Sequence, residues 1–275
     1  MGTLYVVATP IGNLEDVTLR ALRVLGEADL VLAEDTRHTR ILLDRHGIAA
    51  RPRSLHAHNE AQRSAEVLEA LAQGSRVALV SDAGTPLISD PGDRLVHAAL
   101  AAGHTLVPVP GPSAVLGALV VSGLPTAPFT FLGFLPRKRS ERQRLLEAFR
   151  EAPATLVFFE SPKRVANTLD ALVEALGDRP ACVARELTKL HEEVVRGNLA
   201  DLRAHFDTPP RGEVTLVVAG AAPEVLAGAE LEMAVRRLVR EGAHAKEVAA
   251  ALTPRAEATH SEVYAMAVAA AEERR

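Results

Sequence analysis

Short apolar runs alternate with amphipathic stretches along the first half of the chain. Runs at 4–8 (LYVVA), 30–34 (LVLAE), near 52–55, 76–80 (RVALV) and 105–111 (TLVPVPG) read as strands. Between them the apolar residues fall at helical spacing. Thr18 is placed to cap a helix through 28 with Leu19, Leu22 and Leu25 in one stripe, and Asp35-Thr36 to cap the next, through His46. Further helices are expected over about 59–73 and 91–102, and Pro112 in the first turn of another. Strands that alternate with helices in this way predict a mostly parallel, helix-covered sheet.

Turn residues cluster at 122–128 (SGLPTAP), where the pattern restarts, so a first domain is placed over 1–122 and a second over 123–222. The second holds apolar runs at 129–135 (FTFLGFL), 155–160 (TLVFFE), 181–186 (ACVARE), 193–197 (EVVRG) and 213–220 (EVTLVVAG), with helices from Ser140 and from Pro162. Strands here follow one another directly, which predicts a mixed sheet. From 228 to 275 the composition turns to Ala, Glu and Arg. Three helices fit, at about 230–241, 244–252 and 259–272, punctuated by Gly242, Pro254 and Thr259: a small appendage resembling a helix-turn-helix. A dimer arm, a cap and a nucleic-acid contact are equally open readings of it.

Composition narrows the function classes. A net charge of −4 removes any global pull toward nucleic acid, so such contact must come from a local patch. The single cysteine, Cys182, excludes an internal disulfide and reads as a small core residue in a reducing compartment. No basic-then-apolar leader opens the chain and no apolar run approaches the roughly 18 residues of a membrane span, so the expected place is the cytoplasm, off the membrane.

Several familiar chemistries are missing. There is no G-x-x-x-x-G-K-[ST], no G-x-G-x-x-G after the first strand and no G-x-S-x-G elbow; the HEE at 191–193 lacks the second histidine of a zinc peptidase; His56 and His58 read as solvated surface residues. What remains is a set of rigid polar turns at strand ends: Thr9-Pro10-Ile11-Gly12-Asn13, Ser81–Gly92 (SDAGTPLISDPG), Pro110-Gly111-Pro112-Ser113-Ala114, Glu160-Ser161-Pro162-Lys163-Arg164 and Arg185-Glu186-Leu187-Thr188-Lys189. Taken singly each is a tight turn. Together, facing one another across two sheets, they form a cleft for a small ligand, with amides at a helix start suited to a carboxylate or phosphate. A second feature is the run 136–144 (PRKRSERQR). Its Arg137, Lys138, Arg139, Arg142 and Arg144 make a positive patch against the helix macrodipole, which phosphate binding explains and a solvated charge run explains equally. Arg37, His38, Arg40, Arg45, Arg51 and Arg53 extend a basic surface on the first domain.

As a set, VATPIGNLEDVTLRAL, LAEDTRHTRILL, VSDAGTPLISDPG, VPGPSA, FFESPKR, RELTK and RGEVTLVV resemble the ribosomal RNA small subunit methyltransferase I family, over nearly the whole chain. That family lies within the wider tetrapyrrole methylases. The resemblance implies an α/β fold of two domains, commonly in a homodimer, with S-adenosylmethionine (SAM) in the cleft, no metal, and 2′-O-methylation of a cytidine ribose in the decoding region of 16S ribosomal RNA. It assigns SAM contacts to Pro10, Asp82, Ala83, Gly84, Thr85, Pro86, Ser113, Ala114 and Glu160. The wider group's G-x-G-P-G-D turn is here Thr9-Pro10-Ile11-Gly12-Asn13-Leu14, without the aspartate, which speaks against a porphyrin substrate. Asp82, Glu160 and Glu186 are the carboxylates open to a base role, with Lys163 and Lys189 as orienting groups; Asp82 and Glu186 read equally as loop caps or arginine partners. The patch 137–144 with Arg164 is expected to carry RNA or the assembled small subunit. A tetrapyrrole methyltransferase and a non-enzymatic nucleic-acid-binding protein stand as the alternatives.

Overall fold

The inner strands of the first sheet are apolar on both faces. The computed structural model describes residues 1–56, 59–222 and 225–273, so His58 lies outside the described residues. Strands β1 (Thr3–Val7), β2 (Leu30–Ala33), β3 (Pro52–Ser54), β4 (Arg76–Val80) and β5 (Thr105–Val109) form a sheet of order β3-β2-β4-β1-β5. Every pairing in it is parallel, as the alternation with helices predicts. Helices α1 (Leu19–Glu27) and α2 (Thr36–Arg45) cover one face, α3 (Glu60–Ala72) and α4 (Asp93–Ala101) the other. Strand β4 shows why no polar side is needed: Val77 and Leu79 pack with α3 and α4, Ala78 and Val80 with α1 and α2. The buried stripe of α1 is Ala21, Val24 and Leu25, whereas Leu19 of the expected stripe is 86% exposed. Thr18 and Asp35 cap α1 and α2 through side-chain oxygens, as read from the sequence.

Helix α5 (Ala114–Val121) follows β5 and serves the second sheet. Its Val115, Ala118 and Leu119 pack on Val157, Cys182, Ala184 and Val217 of that sheet, so the connection out of the first sheet is also a wall of the second. Pro112 precedes the helix instead of sitting in its first turn: Ser113 is the N-cap, its hydroxyl accepting from Leu116 N–H at 3.5 Å. The proline thereby fixes the approach to the cap.

The second sheet contains β6 (Phe129–Phe134), β7 (Thr155–Glu160), β8 (Pro180–Arg185), β9 (Glu193–Asn198) and β10 (Val214–Val218) in the order β6-β7-β10-β8-β9. Only β6 and β7 are parallel; the other neighbours are antiparallel, which makes the expected mixed sheet. Helices α6 (Arg139–Glu147), α7 (Val165–Leu176) and α8 (Leu199–His205) bury its second face around Phe158, Leu169, Leu172 and Leu202. Helix α8 is absent from the sequence reading. Its one local signal is Asp201, whose carboxylate accepts from the Asn198 N–H at 3.4 Å to close the helix start.

Residues 1–220 form one compact unit and 221–275 another. The second contains α9 (Gly228–Arg240), α10 (Ala245–Leu252) and α11 (His260–Glu272), the three expected helices, around Leu231, Val235, Val248, Leu252 and Val263. Thr259 and Glu262 cap α11 reciprocally. No helix among the described residues is long and apolar enough to cross a membrane.

The turn that closes on Gly92 depends on that glycine. It holds φ +127°, and an added Cβ would stand 2.9 Å from methyl groups of both Leu79 and Leu87. Gly92→Ala is expected to cost about 1–2 kcal/mol from the backbone alone, read as a lower midpoint in urea unfolding; an unchanged midpoint would contradict this.

Candidate active site

The loops at the carboxyl ends of β1, β4 and β5 face the carboxyl ends of β6 and β7 and the amino end of β10, and a cavity of about 430 Å³ lies between them. One wall comes from the first sheet: Ile11, the segments Asp82–Thr85 and Ile88–Asp90, then Ser113, Ala114 and Val115. The facing wall is Phe134, Phe159, Glu160–Pro162 and Gly212–Thr215. Backbone pairing holds the first wall in place, since Thr9 and Gly84 exchange N–H···O bonds of 2.9 and 3.0 Å between the loops after β1 and β4. Gly84 sits at φ +81° and makes that close approach. The Thr9 hydroxyl donates to the Ser81 carbonyl and the Ser81 hydroxyl to the Gly84 carbonyl, each at 3.1 Å.

Of the turns read from the sequence as SAM contacts, Asp82, Ala83, Gly84, Thr85, Ser113, Ala114 and Glu160 line this cavity; Pro10 and Pro86 do not. Pro10 lines a smaller hollow with Thr9, His38 and Ser81, and Pro86 is buried as support beneath the loop. The sequence reading gave no site role to Ile88, Ser89, Asp90, Phe134, Phe159 or Gly212–Thr215, all of which line the cavity. For the SDPG segment a signal existed: a polar pair between two rigid turns, where Leu87 and Ser89 both adopt left-handed φ of 75° and 74°.

The carboxylates differ sharply in how they are engaged. The Asp82 Oδ1 accepts from the Asp35 N–H at 2.9 Å and so ties the β4 loop to the start of α2. The Glu160 side chain is fully enclosed; it accepts from Ser161 N–H at 2.6 Å and from the Thr168 hydroxyl at 2.5 Å, and pairs with Arg164 at 3.4 Å. Glu160 therefore braces the loop at the cavity rim, and Arg164, which also donates to the Leu135 carbonyl at 2.8 Å, is committed to the same brace. Lys163 is exposed beside it and does not line the cavity.

The loop after β8 stands outside the cavity. Glu186 accepts from Lys189 at 2.8 Å and from the Glu213 N–H at 3.1 Å, and Lys189 also reaches Glu213 at 3.0 Å. The Lys189 hydrogen bond, helped by that from Glu213, holds the Glu186 carboxyl below its usual range. Burial lowers the Lys189 ammonium, but its bonds to Glu186 and Glu213 outweigh this and raise it. Glu186 and Thr188 adopt positive φ, and the Thr188 hydroxyl accepts from the Asn13 N–H at 3.0 Å. A Cβ on Gly12 would come within 2.4 Å of Lys189 Cγ, so glycine there lets this loop clasp the β1 loop. The arrangement is a strut between the two walls.

Arg137, Lys138, Arg139 and Arg144 are exposed, and Arg142 is partly covered, with contacts to the Pro136 and Arg137 carbonyls. Lys138 pairs with Glu141 at 3.2 Å and Arg139 with Glu174 at 3.1 Å. Arg144 falls in the last turn of α6, where the macrodipole favours a cation, so the unfavourable placement read from the sequence applies to Lys138 and Arg139 alone. Among the described residues no group of three or more His, Cys, Asp or Glu is arranged to hold a metal ion.

The chain matches the family described as tetrapyrrole (corrin/porphyrin) methylases over residues 3–203. A protein of Mesorhizobium japonicum named ribosomal RNA small subunit methyltransferase I is 51% identical over 242 residues, 86% of this chain and 82% of its own length. Its namesake from Thermotoga maritima is 48% identical over 221 residues, 80% of this chain and 99% of its own, and one from Streptococcus pyogenes serotype M1 is 40% identical over 96% and 93%. Among solved structures, uroporphyrin-III-C-methyltransferase from Thermus thermophilus superposes with a TM-score of 0.58 at 25% identity, covering 80% of this chain and 94% of that one. Diphthine synthase superposes with a TM-score of 0.63 at 19% identity, over 79% and 90%, and shares the fold.

Proposed function

The chain belongs to the tetrapyrrole methylase family and, within it, to the ribosomal RNA small subunit methyltransferase I group, and from that membership we infer a SAM-dependent 2′-O-methyltransferase acting on cytidine 1402 of 16S ribosomal RNA. The observation that carries the reading is the cavity of about 430 Å³ between the two sheets, walled by the DAGTPLISDPG loop and the start of α5. Its size falls among ligand sites of roughly 300–1,000 Å³.

The residues present suit SAM. Ile11, Ile88, Val115, Phe134 and Phe159 offer an apolar lining for an adenine ring, while the first-turn amides of α5 and the Ser113 hydroxyl offer polar anchors for a carboxylate. Bound there, SAM supplies an electrophilic methyl group on a sulfonium. The protein's share is to hold the acceptor oxygen in line with it, and positioning of this kind is worth up to ~7–11 kcal/mol. The clasp of the Thr188–Lys189 loop on the β1 loop holds the two walls at a fixed spacing, which that alignment requires, and the Glu160–Arg164 brace stiffens the second wall.

The exposed 137–144 patch serves the RNA phosphates. Its ion pairs are surface pairs worth about 0–1 kcal/mol, so phosphates displace them at small cost. Arg137→Ala, Lys138→Ala and Arg139→Ala together are expected to weaken small-subunit binding and flatten the log K against log salt slope by about 2, at roughly 0.7 per single-strand phosphate contact. An unchanged slope would take the patch off the RNA path. A homodimer fits the outer face of α5, where Leu116 and Val120 are 53% and 69% exposed on an otherwise apolar helix.

The tetrapyrrole alternative asks for an aromatic-rich cleft, and here two phenylalanines are the only aromatic residues among the described residues that line the cavity. The binding-protein alternative leaves the cavity without a purpose; moreover, the Thermotoga relative is spanned almost end to end by 80% of this chain, so a protein of that name does without a segment as long as the helical appendage. Incubation of the purified protein with methyl-labelled SAM and undermethylated small subunits, followed by mapping of 2′-O-methyl sites, tests the reading. One labelled cytidine ribose in the decoding region is expected. Label on a base, or on a tetrapyrrole precursor alone, would refute it.

A further inference from the structure

We propose that Asp90 is the general base of this reaction, a role that rests on the 2′-O-methyltransferase reading above. Four carboxylates line the cavity: Asp82, Asp90, Glu160 and Glu213. Asp82 caps α2 through the Asp35 amide, Glu160 is enclosed by Arg164, Thr168 and Ser161, and Glu213 is held by Lys189. None of the ion pairs among the described residues involves Asp90. It is half-buried on the first-sheet wall, and the left-handed turns at Leu87, Ser89 and Gly92 on either side fix its backbone. Among the described residues Asp82 and Asp90 are thus the two cavity carboxylates without a cation partner, and Asp82 already spends an oxygen on the Asp35 amide, which leaves Asp90 to the methyl acceptor entering between the walls.

The step balances without any other reactant. Asp90 takes the proton of the ribose 2′-hydroxyl while that oxygen forms its bond to the methyl carbon. The S–CH₃ bond breaks with its electron pair left on sulfur, so the products are the 2′-O-methyl ribose, the neutral thioether and protonated Asp90. The proton then passes to solvent.

The surroundings tune Asp90 for this work. Burial raises its carboxyl to about 6, the charge of Glu34 just after β2 adds to the shift, the nearby Ser81 hydroxyl opposes it, and Asp82 raises it further. Glu34 is itself raised by burial and by Asp82, while His56 lowers it and Asp35 raises it. Near neutral pH Asp90 is thus ionised and more basic than an ordinary aspartate. The same shift has a stability signature. Between about pH 4 and 6 Asp90 in the folded protein holds a proton that the unfolded chain releases, so its contribution to stability falls as pH rises through that window and levels above it.

Single-turnover methylation of small subunits across pH 5–9, with SAM affinity measured on the same samples and melting temperature followed from pH 4 to 9, tests the assignment. Wild type is expected to gain activity up to about pH 6 and level off. Asp90→Asn is expected to lose ~10²–10⁴-fold in rate and the pH limb, to keep its SAM affinity within about threefold, and to lack the fall in melting temperature between pH 4 and 6. If the asparagine variant does not fold, Asp90→Glu carries the test, with the limb retained and the rate reduced. An asparagine variant within tenfold of wild type, or one that keeps the limb, overturns Asp90 as base while leaving 2′-O-methylation intact; so does a glutamate variant unchanged in rate. A wild type that methylates no ribose overturns the reading itself, and the base with it.

Discussion

Glu160→Ala lowers stability by about 3–5 kcal/mol, because it leaves a guanidinium and a hydroxyl facing an enclosed, empty carboxylate site. The Glu160 side chain has no exposure and is met by Arg164, Thr168 and the Ser161 amide, so neither water nor another acceptor takes its place. The loss should appear as a lower midpoint of urea unfolding at unchanged slope. Removing both charges in Glu160→Leu with Arg164→Met is expected to recover most of it, since well-packed apolar replacements of a buried pair are often neutral. A single-variant cost under about 1 kcal/mol would mean that the pair is a surface interaction. The consequence reaches function, because this brace sets the rim of the cavity opposite Asp90.

Ala114→Trp raises the dissociation constant for SAM at least about 100-fold, or roughly 2.7 kcal/mol, with the melting temperature nearly unchanged. Ala114 opens α5, is only partly buried, and faces the cavity, so an indole there occupies ligand space without displacing the core. Isothermal titration with SAM reads the effect. Unchanged affinity would place the donor elsewhere.

The fold was legible because its strands are apolar runs of the right length between strong turn residues, and because Val77 through Val80 carry no polar alternation and so belong to a sheet covered on both faces. The mixed second sheet showed in strands that follow one another without a helix between them. Helix α8 was hidden by its seven residues, too few for a periodic pattern to stand out. Pro112 stands two positions before the first turn expected to hold it, because the sequence shows a proline near a helix start but not which residue turns its side chain back to cap it.

The site was legible as loops and not as side-chain roles. Gly84, Ser113 and Glu160 each announce a turn at a strand end, yet only the coordinates show that the Glu160 carboxylate points inward to Thr168 while Asp90 lines the cavity. Glu186 and Lys189 read as a base and its helper, and form a strut because Gly12 and Gly212 let their loop close against two others. Such contacts join residues about 175 positions apart and leave no local trace.

In this proposal the space between the two sheets holds the donor with its sulfur toward the Asp90 wall. A crystal structure with S-adenosylhomocysteine tests it most directly. Density is expected between Gly84, Thr85, Ile88–Asp90 and Ser113–Ala114 on one side and Phe134 and Phe159 on the other. Density in the open groove lined by Asn13, Arg45 and Leu190, with the intersheet cavity empty, would contradict it.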